Sequence, residues 1–304
     1  MKVDVSVLDK HGDFVSGLML KDFQVTDNGA PQPIVYFRPV EAPAQVLVLI
    51  ETSPAVYLIH NQHLVAAYAL LDGLAADDEV AVVTYDQSPR AVMGFTADKS
   101  ALLSALDSMQ FTIGMGDLNL CDSISTVLDW IAPAPGKRAL VLLTTGLDSS
   151  PPERWDALVQ KLRGSDVVIF PVGLGGALRG AQDGKSKVRK NPGKPGADES
   201  DEAKAAAASA SGFEKADAAL RALATITGGR AYFPEREADF VPAYREIATA
   251  LRHQYVLGIA PAHDGQFHPL SVAVLDQKGQ AASAPGKKAE YRVFAREGYL
   301  APLP

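Results

Sequence analysis

The residues with the most chemistry to offer stand just past an apolar run. Val46-Leu47-Val48-Leu49-Ile50 leads straight into Glu51-Thr52-Ser53-Pro54-Ala55. A carboxylate and a hydroxyl two positions apart thus follow what reads as a buried strand, which is where an open α/β sheet leaves its ligand crevice. The next residues, Pro54, Ala55, Val56 and Tyr57, are unusually apolar for a loop. That composition suits a metal-independent contact with another protein.

Other candidates carry less. His60 and His63 are spaced to share one helix face, but no third ligand accompanies them, so surface or partly buried histidines are expected. His263 and His268 lie in a turn region and read as solvated, and Asp86 reads as part of a turn. The cations Lys185, Lys187, Arg189, Lys190 and Lys194 are balanced by the acids that follow them, which describes a solvated loop. Gly173-Leu174-Gly175-Gly176 follows a strand but enters a polar stretch, so it does not read as a phosphate cradle. The sequence holds no nucleophile elbow, phosphate loop or zinc spacing, and the reading is non-enzymatic. Its one cysteine, Cys121, excludes an intrachain disulfide; among Leu118, Leu120 and Ile124 it is expected to be a buried, inert thiol.

These residues must be positioned by a chain of 304 residues, long enough for two domains. The hydrophobic share of 47% and charged share of 21% are those of an ordinary globular protein. A net charge of −7 argues against nucleic acid as the partner. No apolar run approaches the roughly 18–20 residues that span a bilayer. The start, Met1-Lys2-Val3-Asp4-Val5, lacks the apolar core of a signal peptide and enters a strand pattern at once.

Residues 1–42 alternate as strands do, with Val3, Val5 and Val7 on one face and a hairpin turn at Asp27-Asn28-Gly29. From 43 to 254 apolar strands alternate with helical patterns, including a short edge strand at Arg90–Phe95 and another at Arg230–Phe233. That rhythm implies a doubly wound, mostly parallel sheet of the α/β class with helices on both faces. Residues 175–212 break it: almost no large apolar residue occurs there, and a flexible surface insertion is expected, with the part from Ser200 able to extend the next helix. Residues 255–304 return to β pattern. The two β-rich ends are expected to pair as a small β domain into which the α/β unit is inserted.

The order of several segments carries a resemblance. Val3–Asp9 with Gly17-Leu18 and Asp22-Phe23, Val46–Ser53, Val80–Tyr85, Leu140–Gly146, Thr227-Gly228-Gly229-Arg230, Leu251–Gly258 and Arg296-Glu297-Gly298-Tyr299 together make the chain similar to the von Willebrand factor A domain. It is more closely similar to the group of A-domain-related proteins abundant in acidobacteria. The resemblance covers nearly the whole chain outside 175–212. It implies a leader ahead of the β-rich start, hence an extracytoplasmic, periplasmic or secreted protein.

The resemblance also implies a cation site, and here the chain departs from the pattern. The family's first loop, Asp-x-Ser-x-Ser, reads Glu51-x-Ser53-x-Ala55. Glutamate displaces the carboxylate by roughly 1.5 Å, which a magnesium-type ion tolerates poorly, and Ala55 offers no side-chain oxygen. The second loop's threonine falls on Leu118, between Asp117 and Asn119, with the following aspartate at Asp122. The third loop's aspartate has become Thr145. The expectation is a metal-free protein-interaction or adhesion-type module without cofactor. Its partner is another protein, met by Pro54, Ala55, Val56, Tyr57, Asp117, Asn119 and Thr145. Three other readings stay open: a metal-dependent adhesion protein with weak Mg2+ or Mn2+ binding at a site rewired around Glu51, Ser53 and Asp117 or Asp148, a hydrolase, and a structural part of an envelope assembly.

Overall fold

The computed structural model describes residues 1–40, 43–57, 60–109, 111, 116–178, 199–276, 279–282 and 290–303, with backbone alone at 40, 60–66 and 199–210. His60 and His63, the 185–194 cations and the centre of the expected insertion lie outside the described side chains.

The apolar runs become the inner strands of a five-stranded sheet. β5 (Ala44–Glu51) pairs in parallel with β6 (Glu79–Tyr85) on one side and β8 (Lys137–Thr144) on the other. β9 (Val168–Gly173) adds in parallel beyond β8, and β7 (Pro89–Thr96) closes the other edge antiparallel, giving the order β7-β6-β5-β8-β9. Side chains alternate across each strand. Val46, Val48 and Ile50 therefore face one layer, formed by α2 (His60–Gly73), α3 (Lys99–Asp107) and α7 (Glu237–Arg252). Leu47 and Leu49 face the other, formed by α4 (Leu120–Ile131), α5 (Pro152–Gly164) and α6 (Glu199–Thr227). This is the expected doubly wound α/β sheet. No helix among the described residues is long and apolar enough to cross a membrane.

The terminal segments pair with each other. β1 (Lys2–Asp9) lies between β10 (Gln254–Gly258) and β12 (Tyr291–Ala295), and β4 (Tyr36–Val40) flanks β10. A second antiparallel sheet runs β13 (Gly298–Leu300), β11 (Phe267–Val274), β2 (Phe23–Asp27), β3 (Ala30–Gln32). Val3, Val5 and Val7 meet Phe23, Val25 and Leu257 in a separate core between these sheets.

Three expectations change, and one holds: the part of the insertion from 199 is helical, in α6, as the alanine content from Ser200 allowed. The rhythm does not break at 175: residues 175–178 form a helical turn because Leu174, Ala177 and Leu178 are buried in the core. Arg230–Phe233 makes only one bridge, Tyr232 to Val172. Pro171 in β9 has no N–H with which to continue the ladder toward Arg230, and the turn ahead, with Gly228 at φ +83°, brings Gly229 so close to β9 that a Cβ there would lie 1.9 Å from the Ile169 carbonyl oxygen. His268 is not solvated. It is the second residue of β11, so the pleat turns it inward, where it sits 2.7 Å from Asp27 and 3.1 Å from Asp264.

Candidate functional site

β5, β6 and β8 all end at the same edge of the sheet, and the residues that close them meet there. Glu51 and Tyr85 are paired in register as the last residues of β5 and β6, and Thr144 ends β8. Glu51 is wholly buried. Its Oε2 accepts from the Thr145 amide at 2.7 Å, the Thr145 hydroxyl at 2.8 Å and the Thr144 hydroxyl at 2.9 Å. Its Oε1 accepts from the Ser53 hydroxyl at 2.6 Å. The Tyr85 phenol lies 3.3 Å from Oε2 and 2.6 Å from the Thr144 oxygen. Burial, with the Glu51 charge beside it, raises the Tyr85 pKa well above its ordinary value, so the phenol stays a donor. A buried carboxylate is tolerable only when surrounded in this way, since its desolvation must be offset by donors.

The loops around this cluster are tied to one another. Thr52 bonds to the Tyr85 carbonyl through both its amide, at 2.9 Å, and its hydroxyl, at 3.1 Å. Leu118 exchanges bonds with Ser149: the Ser149 amide donates to the Leu118 carbonyl at 2.7 Å, and the Leu118 amide to the Ser149 hydroxyl at 3.2 Å. Asp148 accepts from the Leu120 amide at 3.1 Å and the Cys121 amide at 3.2 Å, so a carboxylate from the third loop caps the first turn of α4. The same carboxylate, after burial, raises the Cys121 thiol far above its ordinary range, as an inert cysteine requires. Asp86 holds Arg90 through both oxygens, at 2.8 and 2.9 Å.

The structure thus brings Glu51, Ser53 and Thr145 together, and leaves Asp117 apart. Asp117 is exposed and shares no hydrogen bond with Glu51 or Ser53 among the described residues. Asn119 is half-buried and donates to the Gln87 carbonyl at 2.8 Å. Two of the expected contact residues change role. Val56 is buried because the turn α1 (Pro54–Tyr57) points it into the core, and Thr145 is buried because its hydroxyl and amide both serve Glu51. Pro54, Ala55 and Tyr57 remain at the surface, Tyr57 with 61% of its area exposed and its ring edge-on to Phe111 at 5.4 Å.

The donor set suits a hard divalent cation poorly. Such an ion keeps several waters and needs free oxygen lone pairs. Glu51 has no exposed surface, Oε2 is surrounded by donors, and Oε1 faces the Ser53 hydroxyl. Asp122 faces Arg154 at 3.5 Å, and Asp148 is occupied by α4. Among the described residues no group of three or more His, Cys, Asp or Glu side chains is set to hold a metal.

Tyr85, Thr144 and the capping role of Asp148 were not singled out by sequence. One signal existed for the first: a tyrosine closes the largely apolar strand β6, as Glu51 closes β5.

Similarity to known proteins is distant in sequence. Among solved structures, an aerotolerance-related membrane protein from Bacteroides fragilis is similar at 12% identity and a TM-score of 0.47, over 68% of this chain and 99% of that one. A von Willebrand factor type A protein from Catenulispora acidiphila gives 12% and 0.49, over 90% and 72%. The ArnB paralog VWA2 from Sulfolobus acidocaldarius gives 13% and 0.42, over 99% and 76%. No curated protein matches. A family model, von Willebrand factor type A domain, matches residues 46–190. Over residues 46–190 the chain carries a von Willebrand factor type A domain, a kind of module commonly used for protein–protein interaction.

Proposed function

We propose that this protein is a non-enzymatic interaction module whose A-domain works without a metal ion. The observation that carries the reading is the Glu51 carboxylate. In place of an outward-facing ligand, the position holds a buried anion whose charge is met by Ser53, Thr144, Thr145 and Tyr85. The cluster then acts as a rigid floor. It fixes the loops around it, and they expose the apolar lip of Pro54, Ala55 and Tyr57, with Asp117 exposed and Asn119 half-buried in the loop ahead of α4. A rigid aromatic anchor with polar neighbours is the usual make-up of a protein-binding hot spot. The partner is another protein, and the compartment is extracytoplasmic, as the resemblance to the bacterial group implies; cell fractionation with an antibody to the protein checks the latter.

The first test is calorimetric titration of chelator-stripped protein with Mg2+, Mn2+ and Ca2+ separately. The expected result is no binding heat. Saturable sub-millimolar binding that disappears in Ser53→Ala would replace this reading with metal-dependent adhesion. The second test compares wild type with Tyr57→Ala in chemical cross-linking capture from the native host. Tyr57→Ala is expected to lose the captured partner while its melting temperature is unchanged. Equal capture would move the contact surface elsewhere.

A further inference from the structure

At the opposite end of the parallel strands from Glu51, the outer face of the sheet containing β1, β10 and β4 looks onto the α/β unit across a cleft of about 470 Å3. That is within the usual range for small-molecule sites, roughly 300–1,000 Å3. The pairing places its wall. Lys2, Gly258 and Tyr36 stand in one row across the sheet, and Asp4, Val256 and Arg38 in the next. The intervening residues Val3 and Leu257 face the apolar core. Gly258 lets the Tyr36 ring lie against the strand, since a Cβ there would come within 2.6 Å of Tyr36 Cβ. The facing wall includes Gly136, Lys137, Arg138 and Arg296.

The charge of this cleft opposes that of the molecule. It gathers five cationic side chains against two carboxylates, Asp4 and Asp166, in a protein of net charge −7. Part of that charge is already committed. Arg138 bonds the Ala132 carbonyl and Asp166. Arg296 donates to the carbonyls of Gly298, Ser165 and Arg163 at 2.7 to 3.0 Å. Lys137 donates to the Leu251 carbonyl. Lys2 and Arg38 have no hydrogen bond or ion pair among the described residues, and Asp4 accepts no hydrogen bond there. Two cations and one carboxylate without a hydrogen-bond partner among the described residues therefore line the same cleft, with Lys137, Arg296 and Lys2 near enough to act on the Asp4 charge. Burial also pushes the Lys137 ammonium down to about 8, so a bound anion would relieve an existing penalty.

We propose that this cleft binds a small hydroxylated organic anion, its carboxylate or phosphate group held by Arg38 and Lys2 and its hydroxyl donating to Asp4. Carboxylate and phosphate share the chemistry that a guanidinium recognises. The site is independent of the lip at Tyr57.

The test is calorimetric titration of the full chain with citrate, glycerol 3-phosphate and inorganic phosphate at fixed ionic strength, with sulfate as the control ion. One-site binding of citrate or glycerol 3-phosphate, at least tenfold tighter than sulfate, is expected, and whichever binds identifies the head group. Arg38→Gln, an exposed change, is expected to weaken it at least tenfold with the ligand-free melting temperature unchanged. If citrate binds, tricarballylate, which lacks the hydroxyl, is expected to bind more weakly to wild type and as well as citrate to Asp4→Asn. Binding no tighter than sulfate, binding of inorganic phosphate alone, no binding of any of these anions, or binding indifferent to Arg38→Gln overturns the proposal.

Discussion

The Thr145 amide lies 2.7 Å from Glu51 Oε2, so the carboxylate that ends β5 holds the chain just past the end of its parallel neighbour β8. One side chain from one strand thereby fixes the turn of another. Substitution of either partner should therefore be felt in stability before it is felt in binding.

Glu51→Gln tests this directly. The amide keeps the shape of the side chain but turns one acceptor into a donor, aimed at hydroxyl and amide donors that cannot all reverse. The expected loss is about 3 kcal/mol, from buried donors left without an acceptor. Urea unfolding checks it, with an unchanged m-value indicating an intact fold. A loss below about 1 kcal/mol would show that these contacts stabilise little. Stability of the wild type should also be indifferent to added Mg2+.

His268 gives the small β sheets a pH dependence. Its ring is held between Asp27 and Asp264, and these two hydrogen bonds raise the imidazole pKa above its ordinary value. Tyr299 donates to the other Asp27 oxygen at 2.9 Å, and Asn28 Nδ2 lies 3.0 Å from the ring. The folded state binds the proton more tightly than the unfolded one. This contribution is therefore complete below the unfolded pKa of about 6.5, and is lost as pH rises through the higher folded value. Chemical denaturation from pH 5 to 8.5 should show the decline in wild type and a flatter profile in His268→Gln. Parallel profiles would assign the dependence to other groups.

Lys137 has the opposite sign. Its folded pKa, about 8, lies below the ordinary 10.5, with burial the largest cause and Asp4 and Asp78 opposing it. At neutral pH the charged form is penalised in the fold, and the penalty fades as pH rises from 8 to about 10.4. Lys137→Met is expected to stabilise the protein at pH 7 by on the order of 1 kcal/mol, the lost bond to Leu251 offsetting part of the relief. The gain should shrink toward pH 10. A variant less stable at pH 7 and more so at pH 10 would contradict this.

The residues show why the fold was legible and much of the site was not. Val46–Ile50 and Ala139–Leu143 are buried on both faces, so their apolar runs announce a parallel sheet without any knowledge of their neighbours. Glu51 was visible as a residue, but its partnership with Tyr85 depends on the register between two strands, which no local pattern encodes. Val56 looked like an exposed apolar loop residue until a single helical turn pointed it inward. His268 sits one residue into a strand that begins at Phe267, and a shift of one position decides which way it faces. Asp148 serves an element that begins far from it in the sequence, and only the folded loops bring them together.

The first strand also sets an order of events. β1 pairs with β10 and β12, and the Met1 amino group reaches the Ile259 carbonyl at 2.8 Å. As the chain emerges from the ribosome, the strands of the α/β unit are complete well before those partners exist. β1 must wait for strands that follow the whole α/β unit, and the slowest contacts to form are those that span that unit.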